Sequence, residues 1–395
     1  MGILIKHIFK TITSIWLLLI LFSCSSRDDQ SAKNNYPVKI ENVDSLKIVS
    51  NPSFPRDGKI TYNLKEEISI GLAEGDENYI LNRPFDVKVS ENGTIYILDW
   101  GDVNIKVYDK HGRYLRIVGR KGQGPGEFDV PVYFDLSSDG KIYIMDSRFR
   151  RVAILDTLGK FISGFLLENG YHSGMKTDQN NYLYFSRNIT LDVEDINSKI
   201  SIHRYDSDGN EVLNFGEFIN EKRIAVRTGE KSSISIGSRN MPTTVWGIDL
   251  SGRLFEGFNE NYQIYVYDPD GKLGFRFERE FTPVPNVVEK RDRPNMTADQ
   301  KRLIDKYLAN LPKFKPAFKR KLVFDEKGNV WIQIYHGTDF EGTIYDVFSP
   351  GGIYLKQALV EHTIYEFKHG KVYSITRTED GFRVVKRFRL AEKTE

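Results

Sequence analysis

A repeated unit of four short strands constrains the fold of this chain more than any other feature of its sequence. Residues 84–118 contain four segments of alternating apolar and polar residues separated by polar turns, and residues 131–165 repeat this order. The alternation predicts half-buried strands. The glycine in each tight turn supplies the positive φ that such turns require. The chain of 395 residues is also 13% aromatic, which suits strands because aromatic side chains pack well on pleated surfaces.

Weaker copies of the unit follow at residues 171–216, 244–277, 319–359 and 363–390. Four-stranded units of about 45 residues are typical of β-propeller blades. The last copy has only three strands, and an unassigned strand at residues 67–71 can supply the fourth, which would close the ring and remove an exposed sheet edge. The predicted fold is therefore all-β, a six-bladed β-propeller of four-stranded antiparallel blades closed by an N-terminal strand in the last blade. Five or seven blades are the alternatives.

Two insertions, at residues 217–243 and 278–318, break the regular spacing. Within the second, residues 297–311 are predicted to form a helix, because Thr297 and Gln300 match a capping box and Pro312 ends the apolar stripe. The segment 276–321 has 13 Lys and Arg against 6 Asp and Glu. It is either a docking surface for an anionic partner or the solvated face of a large loop.

The first residues predict an export signal. Lys6 and Lys10 precede an apolar run at residues 12–22, which is short for a bilayer span of roughly twenty residues and typical of a signal peptide. The following Leu21-Phe22-Ser23-Cys24 contains the only cysteine of the chain and resembles the lipobox of bacterial lipoproteins. We therefore expect a signal peptide at residues 1–23, a lipidated tether at 24–58 and the propeller at 59–395. An uncleaved anchor with an incidental cysteine is the alternative.

One part of the repeat resembles a known family. Residues 122–128 form a glycine-rich connector before Pro131, residues 139–147 contain a central strand ending in Asp146, and Arg150 follows. This segment resembles an NHL repeat, and the whole chain resembles the six-bladed propeller lipoproteins of Bacteroidetes. The resemblance implies a propeller fold, a binding role and an outer-membrane location, with cell-surface exposure as an alternative to a periplasmic orientation. It implies no reaction.

Several acidic positions resemble metal sites but have simpler interpretations. Asp99 and Asp146 end equivalent strands, where an aspartate commonly accepts backbone N–H groups of the next turn. The segments 206–209 and 268–271 place glycine at the fourth position, whereas a calcium-binding EF-hand loop needs it at the sixth. No cofactor is predicted, and no residue set supports calcium.

Ligands of propellers usually bind where the innermost strands enter the central channel. Counting back eight residues from the turn after each first strand places aromatic and basic groups at one end of this channel. Tyr and Trp suit sugar rings or peptide side chains, and Arg and His suit carboxylate, sulfate or phosphate. The other interpretation is that many of these residues belong to the strand core. The predicted ligand-binding residues are Arg83, Asp86, Tyr133, His172, Trp246, Arg320, Lys321 and His362.

The formal net charge of +2 falls to about zero without Lys6 and Lys10, so nothing draws the mature protein to nucleic acid. The predicted function is that of a monomeric, lipid-anchored binding or scaffold module of the cell envelope. Its partner would be a glycan, a peptide or an envelope protein, and only the anchor would contact the membrane. The alternative is a metal-dependent, lactonase-like hydrolase or lyase with its site in the channel, although the Glu, Asn and Asp set of such enzymes cannot be assembled from this sequence.

Overall fold

The structure is a computed structural model. It describes residues 36–167, 172–189, 197–222, 224–227, 233–236, 241–287, 297–309, 311–319, 321–336 and 341–392. The chain divides into two units, Met1–Val38 and Lys39–Glu395, and the second contains every element described below.

The described part of the chain is built almost entirely of strands. The strands that precede the first blade are β1 (Lys39–Val43), β2 (Leu46–Asn51) and β3 (Lys59–Ile70). Blades one and two and the connector between them contain β4 (Pro84–Val89), β5 (Ile95–Asp99), β6 (Asn104–Tyr108), β7 (Tyr114–Val118), β8 (Arg120–Lys121), β9 (Glu127–Phe128), β10 (Pro131–Leu136), β11 (Ile142–Asp146), β12 (Arg151–Leu155) and β13 (Phe161–Leu166). Blade three and the hairpin after it contain β14 (His172–Thr177), β15 (Leu183–Asn188), β16 (Asn197–Tyr205), β17 (Glu211–Lys222), β18 (Ile224–Arg227) and β19 (Ser233–Ile236).

The second half of the chain completes the set of blades. Blade four contains β20 (Thr244–Ile248), β21 (Leu254–Phe258), β22 (Gln263–Tyr267) and β23 (Leu273–Arg279), followed by helix α1 (Ala298–Ala309). Blades five and six contain β24 (Leu322–Phe324), β25 (Val330–Gln333), β26 (Thr343–Phe348), β27 (Tyr354–Val360), β28 (Glu366–Lys368), β29 (Lys371–Arg377) and β30 (Arg383–Glu392).

The blades form a closed ring. The first strands of successive blades contact one another in a circuit that runs from β4 through β10, β14, β20, β24 and β28 and returns to β4. Clusters of buried apolar residues fill the space between neighbouring blades, for example between Ile105 of blade one and Ile142 of blade two. The prediction of a six-bladed propeller is therefore confirmed, and the six first strands enclose a central channel.

Strand β3 closes the ring as predicted. Its residues pair antiparallel with β30, from Tyr62 opposite Glu392 to Ile70 opposite Val385, and so provide the fourth strand of blade six. The start of β3 also pairs parallel with β27, where Lys59 lies opposite Gln357. A strand of twelve residues is about 40 Å long, which is enough to pass from one blade to the next.

The propeller unit begins earlier than the sequence predicted. Strands β1 and β2 lie within the segment assigned to the tether, yet β2 pairs parallel with β23 on the outside of blade four. Val49 in β2 is completely buried. The polar composition of this segment hid it, because these strands extend an existing sheet edge and do not form a core of their own.

The predicted helix is present, as α1. The backbone N–H of Lys301 donates to the carbonyl of Thr297 at 3.0 Å, and the last helical residue, Ala309, lies just before Pro312. The helix is thus slightly shorter than residues 297–311. Among the described residues, no helix combines the length and apolar character needed to cross a membrane.

The aspartates that end the second strands have the structural role expected of them. The carboxylate of Asp99 accepts the backbone N–H groups of Asn82 and Arg83, each at 2.8 Å, and Asp146 accepts that of Asp129 at 2.7 Å. Each carboxylate thereby ties the entry of the first strand to the end of the second.

Candidate ligand site in the central channel

Charged side chains form a ring at one level of the channel. In four blades, a charged residue of the first strand pairs with a buried tyrosine of the second, so the four lie at equivalent heights. These pairs are Lys88 with Tyr96, Asp135 with Tyr143, Lys176 with Tyr184 and Glu366 with Tyr373. The corresponding residues of the other two blades, Gly247 and Val323, pair with Phe255 and Trp331 and carry no charge.

Lys88 is held at the centre of three carboxylates. Its Nζ lies 3.4 Å from Glu366 Oε2, 3.8 Å from Asp135 Oδ1 and 4.0 Å from Asp86 Oδ2. Burial alone would lower the pKa of Lys88, but Asp135, Asp86 and Glu366 together raise it well above its usual range. Lys88 therefore stays charged, and it crosslinks blades one, two and six.

This arrangement also bears on a metal site. Asp86, Asp135 and Glu366 converge on an ammonium group, which occupies the position that a cation would need. Across the described ranges, no group of three or more His, Cys, Asp or Glu side chains is arranged to hold a metal ion. These three acids therefore do not fit a metal centre in this conformation.

Two further lysines line the channel without such partners. Within the described part of the chain, neither Lys176 nor Lys321 has a carboxylate within 4.0 Å. The Nζ of Lys321 lies 3.8 Å from the centroid of the Tyr365 ring. Burial lowers the pKa of Lys321 to about 7, and the neighbouring charge of Lys88, together with burial, lowers the pKa of Lys176.

Lys176 and Lys321 lie in the walls of two cavities. The first, about 210 Å³, is the channel beside the charged ring and is also lined by Lys88, Asp135 and Glu366. The second, about 320 Å³, opens between blades three and four and is also lined by Tyr133, Ser173, Thr244 and Trp246. The two ammonium groups thus face both spaces, where they can donate hydrogen bonds to an anionic group.

Comparison with known proteins identifies the family. The family model DUF5128, described as a 6-bladed beta-propeller, matches residues 70–272. The chain belongs to this family. No curated protein matches it in sequence.

Solved structures resemble this DUF5128 propeller in fold. A Bacteroides fragilis protein described as exported is 12% identical, with a TM-score of 0.51 over 88% of this chain and 100% of the other. A DUF4221 protein of Bacteroides vulgatus is 11% identical, with a TM-score of 0.50 over 84% and 99%. A calcium-binding regucalcin of Agrobacterium tumefaciens is 9% identical, with a TM-score of 0.44 over 86% and 97%. At these identities the likeness concerns the fold alone.

The structure of this DUF5128 propeller brings three of the predicted ligand-binding residues together in one cavity, and a fourth lies beside the charged ring. Tyr133, Trp246 and Lys321 line the second cavity, and Asp86 lies beside Lys88. Arg320, like the predicted lipidation site Cys24, lies outside the described residues.

Three predicted residues lie elsewhere. The guanidinium of Arg83 stacks on Trp100 at 4.5 Å. His172 is buried with its ring edge-on to Phe185. His362 packs against Phe388 of β30, away from the first strands. None of the three lines either of the two cavities.

The count of eight residues assumed equal turns in all blades, and the turns differ. Five residues, 90–94, separate β4 from β5, whereas only residues 369–370 separate β28 from β29. Sequence reasoning missed Lys88, Asp135, Lys176 and Glu366. These residues lie opposite the tyrosine of the second strand. The sequence signal for this position is its distance from the turn glycine, which follows Lys88 and Asp135 by five residues.

Proposed function

We propose that this DUF5128 propeller is a lipid-anchored binding module of the cell envelope, attached through Cys24. It binds, through the central channel, an anionic group of a glycan, peptide or protein partner, and it contacts the membrane through the anchor only. The lipobox-like segment at residues 21–24 supports the anchor. The description of the Bacteroides fragilis neighbour as exported agrees with an envelope location.

The two ammonium groups that line both cavities carry the proposal. Lys88 lies within 4.0 Å of three carboxylates, whereas Lys176 and Lys321 interact with these acids only from farther away and have none within 4.0 Å among the described residues. A charge in a poorly solvated space is stabilised by a counter-ion and by hydrogen bonds. An incoming carboxylate, sulfate or phosphate would supply both.

Calorimetric titration with sodium acetate and sodium sulfate tests the site. We expect Lys176→Met and Lys321→Met each to weaken anion binding about tenfold or more, since a hydrogen bond to a charged group contributes roughly 1.5–3 kcal/mol. Binding should also weaken as the pH rises through 7, because Lys321, whose pKa is lowered to about 7, then loses its proton.

The matched control is Lys272→Met. Lys272 is an exposed lysine that pairs with Asp270 at 2.7 Å on the outside of blade four, and its replacement should leave anion binding unchanged. Equal affinities of the Lys176→Met and Lys321→Met variants and the unmodified protein would rule out the channel as the binding site.

A further inference from the structure

The hydroxyl groups of the second cavity have their protons directed into the protein. The Oγ1 of Thr243 donates to the carbonyl of Asn220 at 2.7 Å, and the Oγ of Ser186 donates to the carbonyl of Ser173. A backbone carbonyl can only accept, so the direction of both bonds is fixed. Because Ser186 already donates its proton, it can only accept from Ser173. The Oγ of Ser173 therefore donates to the Oγ of Ser186 at 2.9 Å.

The side-chain amide of Asn220, which also lines the cavity, likewise donates to a protein acceptor. The Nδ2 of Asn220 donates to Asn188 Oδ1 at 3.1 Å. A hydroxyl that has donated its proton keeps lone pairs, and the amide keeps its carbonyl oxygen and one further N–H. Ser173, Ser186 and Thr243 therefore offer acceptors at the cavity, which favours a ligand with several O–H donors.

Aromatic rings form another part of the wall. Tyr133 and Trp246 line the cavity, and the indole of Trp246 lies against Gly174. A Cβ at that position would be only 2.6 Å from the indole Cζ2, and Gly174 has a φ of +69°. Glycine thus permits both the backbone conformation and the close approach of the ring, and the indole is fixed where it can pack against an apolar ring face.

The wall of the cavity also carries two basic groups, Lys176 and Lys321. Acceptors for hydroxyl groups, a flat aromatic wall and two donors for an anion are the three features that a sugar ring with a carboxylate would satisfy together. Resting on the proposed anion site, we infer that the second cavity binds an acidic sugar residue. Its carboxylate meets the lysines, and its ring lies against Trp246.

The test compares ligands that separate these features, using calorimetry on the full mature chain. The probes are D-glucuronate, D-glucose, acetate and an acidic dipeptide, alanyl-aspartate. We expect glucuronate to bind at least tenfold more tightly than each of the other three. Trp246→Ala and Ser173→Ala should each reduce glucuronate affinity at least threefold and leave acetate affinity unchanged.

Trp100→Ala is the matched control, because Trp100 stacks on Arg83 and Phe85 and does not line the cavity. Ser173→Ala keeps the test valid if loss of the Trp246 indole unfolds blade four. If acetate binds through the lysines but glucuronate binds no better, the sugar inference is wrong and the anion site stands. Tighter binding of the dipeptide would also overturn it. If acetate and glucuronate both bind independently of Lys176 and Lys321, the proposed function itself fails.

Discussion

Two buried carboxylates of this propeller are stabilised differently, one by a cation and hydrogen bonds and the other by protonation. Asp346 is fully buried, and it accepts hydrogen bonds from Arg279 Nε at 2.9 Å, Tyr262 at 2.7 Å and Tyr354 at 2.6 Å. Glu256 is 6% exposed, and no described cation lies within 4.0 Å of it. Because an unpaired buried charge is costly, burial raises the pKa of Glu256 to about 8, against the opposing effect of a hydrogen bond with Thr244.

This residue makes stability depend on pH. Its native pKa of about 8 lies above the ordinary value of 4.5, so the native state keeps a proton that the unfolded state releases. The free energy of unfolding should fall by up to about 1.4 kcal/mol per pH unit as the pH rises from 4.5 toward 8. Glu256→Gln imitates the protonated form and should make this slope shallower, leaving the part that the raised pKa of the buried Glu366 contributes. Urea titrations at pH 5, 6 and 7 measure it.

A second group begins to titrate at the upper end of this pH range, so the points at pH 5 and 6 measure the slope of Glu256 most directly. The pKa of Lys321, lowered to about 7, acts in the opposite direction at higher pH, because the unfolded state then binds the proton that the native amine has lost. Glu74→Gln, in an exposed loop, is the matched control and should keep the slope of the unmodified protein. An equal slope in the Glu256→Gln protein would contradict the assignment.

At the scale of elements, the N-terminal strands protect sheet edges. β2 covers the outer strand of blade four, and β3 covers that of blade five and is itself the outer strand of blade six. Blade two receives no such strand in the described structure. Its outer strand β13 carries no charge, and Ile162 and Leu166 are 50% and 78% exposed. An uncharged exposed edge of this kind is where additional strands pair most readily.

Truncation separates the roles of these strands. A protein that begins at residue 59 loses β1 and β2 but keeps the ring closed, and we expect a cooperative melt with a modest fall in Tm. A protein that begins at residue 72 also loses β3, which buries Tyr62 and Ile70 and completes blade six. Its Tm should fall by roughly 10 °C or more, since each lost kcal/mol lowers Tm by several degrees. Equal melting of the two truncated proteins would show that β3 does not close the ring.

At the scale of the whole molecule, the channel exists only because the ring closes. Lys88 of blade one meets Glu366, which is 278 residues away in the chain, and Asp135 of blade two. The ring thus crosslinks the first and last blades through a buried charge that depends on all three partners. A binding site at the centre of such a disc is preorganised, because each lining residue stands on a paired strand.

The proposed attachment to the membrane concerns the whole chain. If Cys24 is lipidated, its acyl chains hold the protein at a bilayer, since each buried methylene contributes about 0.8 kcal/mol. We expect Cys24→Ser to move the protein from the membrane fraction to the soluble fraction in the native host, with the Tm of the propeller unchanged. Ser26→Ala is the control substitution beside it. Retention of the Cys24→Ser protein in the membrane would contradict the lipid anchor.

Predictions that depend on contacts within one blade succeeded more often than predictions that depend on contacts between blades. The position of Asp99 at the end of a strand was enough to predict a backbone acceptor, because its partners lie within the same blade. His172 and His362 do not line either cavity, and their height could not be read from the sequence because it depends on the lengths of turns in different blades. Strand β2 was missed since its partner β23 lies more than 200 positions away, and β1 pairs only with β2.

The sequence by itself determined the strand quartets, their turns and the closing strand, because the alternation of apolar residues and the placement of glycine act over a few residues. Only the tertiary structure decided which charges meet in the channel. Lys88, Asp135, Lys176 and Glu366 are ordinary polar positions along their own strands. They become a site when a closed circuit of β4, β10, β14, β20, β24 and β28 brings them to one height, where Coulomb interactions in a poorly solvated space are strong.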